Sequence, residues 1–166
     1  MAATFNWYQY NGADTAETSL GTGGNLVNFM AIDTAGTAGY DTNPITAGTN
    51  SMELWLAAKF GGTFNKIDNL QFWQSTDYSP NDGLANYWVE NGVTAYAQPS
   101  TATATATDAV PTSDPGAENV YIGGDTGGSL TAAGASDYIV LQLRTTTAAA
   151  AGDTSLAEFT IQYDES

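Results

Sequence analysis

The chain contains no cysteine and no histidine. The first absence excludes disulfides, thiolate metal sites and cysteine nucleophiles. The second removes the usual general base near neutral pH and any serine triad that depends on imidazole. Bases are scarce as well: three Lys and Arg stand against 18 Asp and Glu, a net charge of −15 in 166 residues. Charged residues total only 13%, against ~25% in ordinary domains, so the surface is purged of cations rather than coated with acid. Lys59, Lys66 and Arg144 cannot build the basic stripe that counterion release on nucleic acid requires. The acids are too scattered for the carboxylate rows of a DNA mimic. Long apolar runs are also lacking. "YIVLQL" is far too short to span a bilayer, and the N-terminus has neither a charged nor an apolar leader region. The expectation is a soluble protein made in a cytoplasm, with no nucleic acid or membrane partner.

Hydrophobic residues at 42% and aromatics at 11% are enough for a packed core. Short β-branched and aromatic runs separated by Thr, Gly, Asn and Asp predict strands. Met52, Leu54, Leu56, Ala58 and Phe60 alternate with Glu53, Trp55, Ala57 and Lys59, a period of two that predicts a strand with one buried face. "IDNLQFWQS", "NLVNFMAID" and "ENVYIGG" supply further strands. In "YWVENGVTAY", Asn91-Gly92 between apolar runs is a type I′ hairpin signal. At the C-terminus, Ile139, Leu141 and Leu143 form one inner row and Ala157, Phe159, Ile161 and Tyr163 another. Residues 137–145 and 156–164 are expected to pair as a hairpin. The fold class is all-β: one antiparallel β-sandwich, jelly-roll-like, over residues 1–166. Residues 98–118 hold three prolines and nothing apolar larger than Val110. They are read as a low-complexity loop or as an arm, unable to anchor in its own core and mobile in the isolated protein. Thr101, Thr103, Thr105 and Thr107 would line one face of the arm as a strand that adds to a neighbour's sheet edge.

Candidate chemistry is thin. A glycosidase-type carboxylate pair would have to come from Glu53, Glu90, Glu118 and Glu158, and no spacing selects one. Asp77, Asn81 and Asp82 in "DYSPNDG", with Asp125 in "GGDTGG", could offer calcium several oxygens, but the spacing is not that of an EF-hand and suits ordinary turns. "GTGGN" and "GGDTGGS" open no helix and lack the lysine of a phosphate cradle. No cofactor, metal or catalytic residue is expected. Trp55 shares a strand face with Glu53 and Lys59, and an exposed position there would suit sugar stacking or a protein contact. Trp7, Trp73 and Trp88 read as core or rim.

"NPITAGTNSMELWL", "GTFNKIDNLQFW" and "YIVLQLRTTTAAAAGDTSLAEFTIQYDES" resemble recurring stretches of small β-rich virion proteins of tailed bacteriophages. The resemblance covers about half of the chain and is structural rather than catalytic. It implies a capsid decoration (cement) protein on the outside of an HK97-like head, bound to the major capsid protein and commonly trimeric. It brings no functional residues with it. Trp55, Lys59 and Lys66 are then candidates for contact with an acidic neighbour, and Thr101, Thr103, Thr105 and Thr107 for contact through the arm. Two rival readings are a glycan-binding tail or head-fibre module and a tail-tube or neck protein.

Overall fold

A computed structural model describes residues 2–13, 15–23, 27–37, 39, 41–76, 85–150 and 157–166. The described residues are all-β, with nine strands and no helix. In chain order the strands are β1 (Ala3–Asn11), β2 (Ala16–Gly21), β3 (Leu54–Gly62), β4 (Ile67–Gln74), β5 (Ala85–Val93), β6 (Asp108–Ala109), β7 (Gly134–Ala135), β8 (Tyr138–Thr145) and β9 (Phe159–Glu165). A large sheet runs β2-β1-β3-β8-β5-β6, with β7 beside β3, and β4 and β9 form a second, two-stranded sheet. Every strand pair is antiparallel. The sheets pack as a β-sandwich whose core includes Trp7, Leu54, Leu56, Phe60, Phe72, Tyr87, Ile139 and Leu141.

The alternation read along residues 52–60 sets this core, but β3 is buried on both faces. Leu54, Leu56 and Ala58 point into the sandwich, while Trp55 and Ala57 belong to a second cluster on the outer face with Tyr10 and Val140. β3 is a central strand, flanked by β1 along one edge and by β8 and β7 along the other. That position explains why both of its faces are covered.

The C-terminal hairpin does not form. β8 has both edges occupied, by β3 and β5, so β9 crosses to the other sheet and pairs with β4. The inner rows are nevertheless as read: Ile139 and Leu141 are fully buried, and Ala157, Phe159, Ile161 and Tyr163 pack half-buried against the core. Phe159 stacks on Phe72, with ring centroids 5.8 Å apart, and meets Tyr87 edge-on at 5.2 Å.

Asn91-Gly92 is not a turn either. β5 continues through both residues to Val93, with a register shift between Glu90 and Val93. The Glu90 carboxylate accepts hydrogen bonds from the Asn91 and Gly92 amides, at 3.1 and 3.3 Å, and so holds a bulge where the turn signal stood. A Cβ on Gly92 would lie 2.7 Å from the Tyr121 ring, so glycine serves close packing here.

Two predicted strands do not form. The described part of "NLVNFMAID" is irregular: Gln9 binds the Thr34 carbonyl and the Gly36 amide, and Asp33 accepts from the Gly12 amide. In "ENVYIGG" only an isolated bridge, Ile122 with Asp125, remains. There the Asn119 side chain bonds both the amide and the carbonyl of Phe72, taking the place of a ladder rung along β4.

Candidate docking surface

The outer face of the large sheet gathers the residues of interest. Period-two alternation in β1 puts Tyr8 and Tyr10 on this face, β3 contributes Trp55 and Lys59, and β8 contributes Tyr138 and Val140. Tyr96, just beyond β5, closes over them and donates its hydroxyl to the Gly12 carbonyl at 2.7 Å. The rings meet at steep angles: Tyr10 with Tyr138 at 5.0 Å, Trp55 with Tyr96 at 5.2 Å and Trp55 with Tyr138 at 5.5 Å. This is a second small core with a tyrosine surface.

Trp55 is 1% exposed, which corrects its assignment as a surface contact. Its face does point away from the main core, as its alternation with Leu54 and Leu56 implied, but Tyr96 and Tyr138 cover the indole. What reaches the surface is Tyr8, Tyr96 and Tyr138, each half-buried. Lys59 lies over the Tyr8 ring, 4.4 Å from its centroid, and forms an ion pair with Glu17. Burial lowers the Lys59 pKa, but hydrogen bonds to Glu17 and Tyr10 outweigh it and leave the pKa raised. The hydrogen bond from Lys59 holds Glu17 below the usual carboxylate range. Burial, then the neighbouring Glu17, pushes the Tyr10 phenol up to about 12, and burial with nearby Asp33 does the same to Tyr96. The Tyr10 and Tyr96 phenols therefore stay neutral through the physiological range.

Lys66 stands apart from this face. It pairs with Asp68 at the start of β4, and Asp68 raises its pKa. The structure does not bring Lys59 and Lys66 together.

The four threonines also take different places from those expected. Residues 101–107 form no strand; Thr101, Thr103 and Thr107 are exposed and Thr105 is half-buried. The carbonyls that a strand would offer to a neighbour are taken by side chains of the sheet. Asn50 donates to Thr101 O at 2.9 Å, Gln142 to Ala102 O at 3.0 Å, and Arg144 to Thr103 O at 3.2 Å and to Ala106 O. Ala106 and Val110 are buried, and β6 pairs with β5. Residues 98–118 are therefore anchored within their own chain, against the expectation of a segment that cannot hold itself there. Polar clamps, which composition does not reveal, replace the missing apolar bulk.

The carboxylates do not form one site. Glu53 is buried near Trp55 and Ser100, and Glu158 lies at Thr76. Glu90 and Glu118 line an open cleft of about 310 Å³ with Asp108, Asn91, Asn119 and Tyr121. Asp77, Asn81 and Asp82 lie outside the described residues. Asp125 accepts from the Gly127 amide within its turn. Among the described residues, no group of three or more Asp and Glu is placed to hold a metal ion. The participants that sequence reading did not single out are Arg144, Gln142 and the tyrosines. Their signal was the outer phase of the same alternation that marked the core. Comparison with family models, curated proteins and solved structures finds no match.

Proposed function

We propose that this chain is a structural virion component, a decoration protein that binds the outer surface of an HK97-like phage head and its major capsid protein. The observation that carries this reading is the tyrosine face. It offers aromatic contact area with polar tips, and its one lysine is already neutralised by Glu17. Half-exposed tyrosines of this kind suit protein contacts, where large rigid rings cost little ordering entropy. Charged side chains near the sheet support the same view: Glu53 and Arg144 hold backbone, and Lys59 holds Glu17. The β-sandwich and the resemblance to small phage virion proteins point the same way. Assembly as a homotrimer belongs to this proposal.

Co-sedimentation tests the reading. Purified protein should pellet with expanded heads, and Tyr8→Ala should weaken binding by roughly tenfold, as for an interface aromatic. Failure to pellet with any head form would reject it. The same tyrosines favour a second reading, a glycan-binding module, which a glycan array addresses: saturable binding that Tyr8→Ala removes would favour it over decoration.

A further inference from the structure

Residues 98–107 cross the outer face of the large sheet at the end away from Lys59, and no strand of the sheet pairs with them. Asn50, Glu53, Gln142 and Arg144 grip their backbone instead. Within the strap only Pro99 and Ala106 are buried. The floor beneath is polar: Ser51 and Gln142 are fully buried, and Glu53 is 3% exposed. Lifting a strap of small residues from a polar floor exposes little apolar area and returns buried polar groups to water. Such a contact can open at modest cost.

One of those groups is left wanting when the strap is closed. Glu53 Oε2 accepts from the Trp55 indole at 3.1 Å and from the Ser100 amide at 3.2 Å, but Oε1 is buried with no partner. An unpaired buried acceptor is costly, more so on a charged group. A guanidinium stands close by. Leu54 pairs with Leu141 and Asn50 bridges Arg144, so Glu53, just before β3, and Arg144, near the end of β8, lie on neighbouring segments and grip the same strap. Arg144 is spent elsewhere, on Thr103 O, Ala106 O and Gln142 Oε1, with its Cζ 4.4 Å from the centroid of the Trp88 ring.

We propose that the strap is a two-state latch worked by a change of partner at Arg144. When it is closed, Arg144 holds the strap carbonyls and Glu53 lacks a partner for one oxygen. When it is open, Arg144 pairs with Glu53, and the freed backbone of residues 98–107 adds to the sheet edge of a neighbouring protein. The use of the open strap as a contact arm rests on the decoration reading; the latch itself does not.

The test needs no capsid, so its outcome is separate from that reading. Because the chain has no cysteine, Ala106→Cys introduces a single thiol that a reagent reaches only when the strap lifts. In that background Glu53→Gln removes the open-state ion pair while keeping an acceptor for Trp55 and Ser100. Labelling should slow by roughly threefold or more, the scale of a partly exposed ion pair. With Arg144→Ala also present, Glu53→Gln should no longer change the rate. Hydrogen exchange of the 98–107 peptide, with and without Glu53→Gln in the cysteine-free chain, gives the same comparison should the thiol variant not fold. Labelling or exchange that is unchanged or faster in Glu53→Gln would show Glu53 to be a simple anchor and overturn the latch.

Discussion

Tyr10 and Tyr96 hold their phenolic protons to about 12, through burial first and neighbouring acids second. An unfolded tyrosine releases its proton near ~10, so the folded state favours the neutral phenol. That contribution is complete below pH ~10 and is lost as pH rises toward 12. Alkaline titration followed by tyrosinate absorbance and circular dichroism should therefore show late ionisation coupled to unfolding in that window. Independent ionisation of all tyrosines near pH 10, with the fold intact, would contradict the packing of the outer face. Phe159, half-buried between Phe72 and Tyr87, should cost about 2–3 kcal/mol when replaced by Ala, below the full core range because one side is open. Gly92→Val should cost about 1–3 kcal/mol through overlap with Tyr121, and Tyr121→Ala in the same chain should relieve part of that loss. Urea denaturation measures both.

Among the elements, the inner rows of β3, β8 and β9 were legible because a period of two fixes which side chains share a face. Partners were not legible. Nothing in residues 137–164 reveals that β3 and β5 already occupy both edges of β8, and local proximity favoured a hairpin that long-range pairing overrides. The Asn91-Gly92 turn signal failed for a related reason: Glu90 and Tyr121 stabilise an extended bulge there. At the candidate site, the outer position of Trp55 could be read from alternation, but its cover could not, since Tyr96 and Tyr138 arrive from elsewhere in the chain. Composition hid the anchoring of residues 98–118, because Arg144, Gln142 and Asn50 do the holding. Deleting residues 100–113 should accordingly destabilise the sandwich by about 3 kcal/mol or more, through loss of buried Val110 and Ala106 and of the β6 pairing. A deletion variant of unchanged stability would show those clamps to be idle.

For the whole molecule, a net charge of −15 with only three bases makes nucleic acid an unfavourable partner. Two of the bases are in ion pairs, Lys59 with Glu17 and Lys66 with Asp68, and the third is folded onto the strap and Trp88. Purified protein should leave the mobility of duplex DNA unchanged at physiological salt. The decoration reading proposed above puts the binding site on the assembled head. The most direct measurement is a binding isotherm on expanded phage heads set beside one on unassembled capsid subunits. Saturable binding to heads, at a fixed number of copies per capsid, is expected, with much weaker binding to free subunits. Equal affinity for both, or no binding to either, would contradict the decoration reading.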